Sequence, residues 1–271
     1  MNPCQIFKIV LVLFLLNPEI LLSQIFGKYL MDPIPSATAS ASLFKYSKNP
    51  ASELTGKSFN SDLRISPYRF GIKELTPAEI NLQFGLSDKH FINSNFFYIG
   101  NNLYNEYSAE LGYSTKLSDK ILVGIAADYS TINIDRFSSQ SAFSVHIGSK
   151  LSISDDLDAG FYLRNLLKSS YGSDSLYIWQ TAVVGVSYKI MEDAQIDADA
   201  IIDITHKSAI ALAFKYSVFE FADLRIAWRN SPSFVEAGIL LKDIYSIDFV
   251  LLTQYNSILG ISPMIGMALS Y

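Results

Sequence analysis

The 271-residue chain has one cysteine, Cys4, and three histidines, His90, His146 and His206. A single thiol close to the start builds no disulfide framework and no thiolate metal site. The histidines lie on separate segments without ligand spacing, whereas zinc needs three or four convergent ligands. Neither metal nor cofactor is therefore expected. Basic residues are also scarce: 21 Lys and Arg stand against 26 Asp and Glu, for a formal charge of −5. That leaves no basic face for the phosphates of nucleic acid. A glycine-rich phosphate loop ending in Lys-Ser/Thr is missing. Charged residues are only 17% of the chain, too few for a disordered polymer. Finally, no run after residue 30 approaches the ~18 consecutive apolar residues of a membrane helix.

What the chain has is apolar and aromatic mass: 49% apolar residues, with 16 Tyr and 18 Phe. Hydrophobicity that is abundant yet never continuous must be spread out, and period-two alternation does that. Three regions follow. Residues 1–23 read as a secretory signal: Lys8, an apolar core over 9–16, a break at Asn17-Pro18, and expected cleavage after Ser23. A retained anchor helix is the alternative, but the segment is interrupted and shorter than ~17 residues. Residues 24–60 contain Pro33, Pro35 and Pro50 and a small-residue run, SATASAS, over 36–42. They hold no sustained period and are expected to be irregular. Residues 61–271 alternate.

Within 61–271 the pattern predicts fourteen strands, at 61–71, 79–86, 91–100, 105–116, 121–134, 141–152, 157–167, 177–190, 195–205, 208–218, 222–230, 233–242, 245–255 and 259–271. Over 195–205 (QIDADAIIDIT), Ile196, Ala198, Ala200 and Ile202 share one face, and Gln195, Asp197, Asp199 and Asp203 share the other. Leu224, Ile226 and Trp228 similarly oppose Asp223, Arg225 and Arg229. Turn chemistry recurs at every second connection, in Leu86-Ser87-Asp88-Lys89, Leu117-Ser118-Asp119-Lys120, Ile153-Ser154-Asp155-Asp156 and Met191-Glu192-Asp193-Ala194, with Asp223 and Asp243 at the next two. These make a hairpin repeat of about 30 residues. The connections near 73–78, 101–104, 135–140 and 166–176 are expected to face outward at the opposite end. The chain closes on Gly266, Leu269 and Tyr271, the spacing of the signal read by outer-membrane barrel assembly machinery. The fold class expected is therefore all-β: an antiparallel transmembrane barrel of about fourteen strands in the outer membrane of a Gram-negative bacterium, in contact with its lipid.

The phase places ten charges inside: Glu110, Asp128, Arg164, Asp197, Asp199, Asp203, Arg225, Arg229, Glu236 and Asp248. The plain explanation is a solvated or mutually paired interior. The functional one is a polar path, or a docking surface for the 24–60 segment, with the Asp197, Asp199 and Asp203 stripe pairing with Lys45, Lys48 or Lys57. Ser144-Val145-His146 invites comparison with outer-membrane phospholipase, whose Ser and His face lipid. Here the phase turns Phe143, Val145 and Ile147 outward and Ser144 and His146 inward, so no enzyme is expected.

Asn49-Pro50-Ala51-Ser52 after a small-residue stretch, the repeated Gly…Lys-Leu-Ser-Asp…Gly hairpins (112–124 and 148–160), and the closing series from Gly185 to Tyr271 together resemble the PorV/PorQ family. Those barrels are related to the FadL fatty-acid transporters, and PorP/SprF proteins are a second resemblance. SATASAS stands here where the family has a glycine-rich run. The resemblance implies a fourteen-stranded barrel whose N-terminal segment, with Asn49, Pro50 and Ala51, plugs or caps the lumen. It also implies an accessory or attachment role in the type IX secretion system of Bacteroidota, with its components or secreted substrates as partners. The alternative is a FadL-like channel for small hydrophobic molecules. Short loops weigh against the first, and a polar lumen phase weighs against the second.

Overall fold

A computed structural model of the chain describes residues 31, 34, 37–38, 40–44, 48–54, 57–72, 76–137, 139–172, 176–203 and 208–271. The expected signal at 1–23, Lys45 and His206 lie outside the described residues. Sixteen strands occur among the described residues: β1 (Phe59–Ile65), β2 (Ala78–Gly85), β3 (His90–Gly100), β4 (Tyr104–Ser118), β5 (Ile121–Ile134), β6 (Gln140–Ser152), β7 (Leu157–Arg164), β8 (Ser170–Tyr171), β9 (Leu176–Tyr177), β10 (Thr181–Met191), β11 (Ala194–Asp203), β12 (Ala209–Phe219), β13 (Ala222–Asn230), β14 (Ser233–Ile244), β15 (Ile247–Asn256) and β16 (Gly260–Ser270). All except β8 and β9 form one closed antiparallel barrel of fourteen strands, with β7 beside β10 and β1 beside β16. Closure leaves no unpaired sheet edge, which is what lets strands stand in hydrocarbon. Among the described residues, no helix is long and apolar enough to cross a membrane.

Alternation decides which side chains face out. On the outer surface stand Ile80, Leu111, Ile125, Val184, Ile202, Ile226, Leu251 and Ile265, all exposed. Exposed aromatics occupy both ends of this surface. Phe84, Tyr113, Tyr188 and Phe214 lie toward the tight turns, and Tyr98, Tyr129, Phe143, Trp228 and Tyr255 toward the opposite, loop end. A contiguous apolar surface of this extent needs an apolar solvent, and aromatic belts suit its two interfaces.

The barrel strands match the predicted segments closely, and the differences have local causes. The first strand stops at Ile65 rather than 71, because Tyr68, Phe70 and Gly71 take positive φ and turn the chain inward. The seventh stops at Arg164 rather than 167, at the positive φ of Asn165. The next barrel strand starts at Thr181, since the β8–β9 hairpin fills the interval. Arg69, placed by the pattern in the first strand, and Tyr171, in the connection expected at 166–176, are among the most deeply buried side chains of the described residues. Tyr171 packs on Ile132, Ala142 and Ile178 and donates to Ser130 Oγ at 2.6 Å. Asp223 is another correction: it is an inward residue of β13, facing Ser217 at 2.7 Å, and Glu220-Phe221 makes the turn.

Candidate functional site

The lumen wall has two unlike halves. Register places Asp62, Asn81, Asn95, Glu110, Asp128 and Ser144 side by side across β1 to β6, all on the inward phase. The flanking row toward the turn end is Asn60, Gln83, Asn93, Gly112, Ala126 and His146. These side chains bond one another. Arg64 lies 2.8 Å from Asp62 and 3.6 Å from Glu79, and Asn81 donates to Asp62 at 2.7 Å. Asn95 donates to Glu79 at 2.6 Å and to Asn81 at 2.5 Å. Buried charges persist only when paired and hydrogen-bonded in this way.

Across β10 to β16 apolar inward residues form patches among charged ones, for Asp197, Asp199, Asp203, Arg225, Arg229, Glu236 and Asp248 all lie on β11–β15. Val183, Ile201, Ala209, Ala211, Ala213, Ala227 and Phe234 form one buried cluster with Tyr162 of β7. Leu240, Val250, Leu252 and Met264 form another, with Phe97 and Ile99 of β3.

The described residues of 31–54 lie against both halves. Ile34, Ala37 and Ala41 belong to the first apolar cluster, and Met31 and Leu43 to the second. Their main chain is held by charges on that side. Asp199 accepts the Ala37 N–H at 2.7 Å, and Asp197 accepts the Ala41 N–H at 2.9 Å. Arg225 donates to the Ala41 carbonyl at 2.8 Å, and Lys215 to that of Ser40 at 2.7 Å. Arg225 also pairs with Glu236, whose carboxylate accepts from Gln254 at 3.1 Å; Gln254 in turn donates to the Met31 carbonyl at 3.2 Å. From the loop after β1, Arg69 reaches Gln254 at 3.3 Å, and burial pushes its guanidinium below the ordinary value.

Residues 48–54 rest on the polar half. Lys48 is 3.5 Å from Glu79, and Glu53 is 2.6 Å from Lys116. The side-chain amide of Asn49 donates to the carbonyls of Ala37 at 2.7 Å, Ser149 at 3.2 Å and Phe161 at 3.3 Å, while its oxygen accepts the Ala51 N–H at 2.9 Å. Three glycines make room for this. A Cβ on Gly124 would strike the Pro50 carbonyl, one on Gly148 the Asn49 side chain, and one on Gly160 the Ala37 carbonyl. Gly124 and Gly148 face each other on β5 and β6, and Gly160 lies on β7. The glycines of the hairpin repeat thus form a shelf for Asn49-Pro50-Ala51.

All ten charges singled out in the sequence lie on the inward phase, and none is on the exposed outer face. Asp128, Asp197, Asp199, Arg225 and Glu236 are fully buried. Of the lysines expected to pair with the acidic stripe, Lys48 sits on Glu79, Lys57 is exposed and Lys45 lies outside the described residues, while Asp197 and Asp199 hold backbone amides. Asp62, Arg64, Glu79 and Glu106 escaped the sequence reading, although Asn60, Asp62 and Arg64 alternate cleanly with Ser61, Leu63 and Ile65. Apolar patches lie among the inward polar residues of β10–β16, and the alternation alone does not reveal them.

Ser144 and His146 both point inward. His146 Nδ1 accepts the Asn165 N–H at 3.0 Å, its Nε2 lies 3.8 Å from Glu110, and Ser144 Oγ has no hydrogen-bond partner. A nucleophile–base pair needs these two groups bonded to each other. Among the described residues, no three His, Cys, Asp or Glu side chains gather for a metal. Gly266 leaves space taken by the Phe44 ring, while Leu269 and Tyr271 face outward at the seam, where the Tyr271 carbonyl accepts the Ser58 N–H at 2.7 Å.

No protein-family model and no curated protein matches the chain. Solved structures do resemble it. The CymD monoaromatic hydrocarbon channel superimposes with a TM-score of 0.62 at 10% identity, covering 88% of this chain and 98% of that one. The Pseudomonas putida toluene transporter TodX gives 0.60 at 9% identity, over 87% and 98%. The Acinetobacter baumannii outer membrane protein Omp33 gives 0.52 at 8%, over 79% and 98%. At these identities the likeness is one of fold, and that fold is the outer-membrane barrel.

Proposed function

We propose that the chain is an outer-membrane channel for small hydrophobic molecules, with residues 31–54 as its internal plug. The observation that carries this is a pair of apolar patches in the lumen. An interior meant only for water has no use for Val183, Ile201 and Phe234 in one, or for Leu240, Val250, Leu252 and Met264 in the other. The likeness in fold to a toluene transporter and a monoaromatic hydrocarbon channel supports the same reading. So does the rim. β6 continues up to Gln140, while its neighbour β7 ends at Arg164, opposite His146, so the upper part of β6 has a strand on one side only. This notch, spanned by the inward loop after β7, is a way for an apolar solute to leave sideways into lipid.

The test uses the purified barrel in detergent with the lipophilic fluorophore N-phenyl-1-naphthylamine. Saturable fluorescence is expected, and Ala211→Arg, which sets a charge on the apolar wall, should weaken it at least ~10-fold, or ~1.4 kcal/mol. Equal signals from both proteins refute the reading. Membrane residence is checked by heat-modifiable gel migration of the outer-membrane fraction; recovery in the soluble periplasm would refute it. A role as an accessory of type IX secretion is a second reading, favoured by exposed Phe137, Leu167 and Ile258 at the loop end, which offer a partner an apolar surface. Deleting the gene and profiling surface proteins tests it: unchanged export of proteins with that system's C-terminal signal rejects it.

A further inference from the structure

The polar half holds an unusual set of atoms. Gln83 Nε2, Asn93 Nδ2 and Oδ1, Asn95 Oδ1, Ser108 Oγ and Ser144 Oγ are buried and have no hydrogen-bond partner. They come from β2, β3, β4 and β6, all on the inward phase, in three successive rows. Gln83 and Asn93 are cross-strand partners nearest the turn end; Asn95 and Ser144 share the next row, and Ser108 stands one row further toward the loops. Asn95 shows a direction. Its amide nitrogen is turned toward β2, to Glu79 and Asn81, so its unpartnered oxygen is turned toward β4. Buried polar groups are nearly always satisfied, and six unsatisfied atoms along one wall call for a ligand that both donates and accepts. The other barrel strands offer no comparable set among the described residues.

We infer that this face is a path for small neutral polyhydroxy solutes, of glycerol to pentose size, uncovered when residues 48–54 move off β2–β6. Amides and hydroxyls donate and accept without charge, as the hydroxyls of such a solute do. Asp62 and Glu79 are matched by Arg64 and Lys48. The carboxylates of Glu110, 3.8 Å from His146, and Asp128 complete the row of Asn95 and Ser144 as further acceptors. Residues 48–54 border the track: Lys48 reaches Glu79 of β2, the Ser52 carbonyl accepts from Ser114 of β4, and Ala51 and Leu54 pack on Phe91, the inward neighbour of Asn93 on β3. The path is separate from the hydrophobic route: it uses the opposite wall, so loss of polyol entry leaves fluorophore binding intact, and loss of fluorophore binding leaves polyol entry intact.

Osmotic swelling of liposomes holding the full barrel tests it. In isosmotic glycerol and ribose, swelling several-fold faster than in empty liposomes is expected. Gln83→Leu with Asn93→Leu should bring the rate down to that of empty liposomes, whereas Thr253→Leu, on the outer face, should leave it unchanged. Swelling equal to that of empty liposomes, an unchanged double variant, or entry of potassium chloride without glycerol would each overturn the inference. Should the double variant fail to fold, single cysteines in a Cys4→Ser background decide. Asn93→Cys should react with the neutral 2-hydroxyethyl methanethiosulfonate, while Thr253→Cys, whose thiol faces lipid, does not. An unreactive Asn93→Cys overturns the path.

Discussion

Along β1–β6 the inner wall is held together by its own side chains, and the chain crossing it is fitted by side-chain identity. Along β10–β15 the wall mixes apolar patches with charges, and Asp197, Asp199, Lys215 and Arg225 hold the crossing chain by its backbone. The same segment is therefore recognised in two ways. At Ala37 and Ala41, Asp199 and Asp197 accept main-chain N–H groups, which any small residue supplies. At Asn49 the side chain itself reaches carbonyls on the segment and on two strands. Contacts of the first kind tolerate sequence change and contacts of the second do not.

That contrast can be broken from the apolar side first. Arg225→Leu leaves Glu236 buried without its cation and frees the Ala41 carbonyl. A loss of ~3–5 kcal/mol is expected, read from urea unfolding in lipid vesicles. Gly160→Val drives a side chain into the Ala37 carbonyl. It should cost about 1–3 kcal/mol, the range of overpacking, and make residues 31–54 sensitive to protease while the barrel remains heat-modifiable. Asn49→Ala removes donors to three carbonyls and should cost about 1–2 kcal/mol by the same unfolding measurement; Asn49→Asp should not rescue it, because a carboxylate cannot donate. Lys57→Ala should change stability by less than ~0.5 kcal/mol, since that lysine is exposed. A larger loss would revive pairing between Lys57 and the acidic stripe.

The barrel was legible because each strand carries its phase in its own sequence. Ile196 to Asp203 declares two faces without reference to any other strand. The same signal was present in Asn60–Asp62–Arg64 and Glu79–Asn81–Gln83, and these inward groups were readable although they were passed over. Elsewhere the signal fails for a physical reason. In β12 the residues Ala209, Ala211 and Ala213 face in while Ile210, Leu212 and Phe214 face out. Both faces are apolar, so only side-chain size differs, and the apolar patches of the lumen stayed hidden. The inward loops were unreadable because Arg69 and Tyr171 are buried by partners far away in sequence, Gln254 and Ser130. The glycine shelf was half legible: the repeat was visible, but not what rests on it.

The seam between β1 and β16 joins residues about 200 positions apart, such as Asn60 with Ser270. Contacts of such separation are rewarded late, after the greater part of the loop entropy has been lost. Residues 31–54 are tethered directly ahead of β1, on the first strand to be made and the last to be zipped. Once the ladder has closed, a chain lying across the interior can no longer enter through the wall and has only the two open ends. The order of events in biogenesis is thereby constrained. The segment is best captured while the sheet is still an open sheet, with the Gly124, Gly148 and Gly160 shelf already assembled on β5–β7 to receive it.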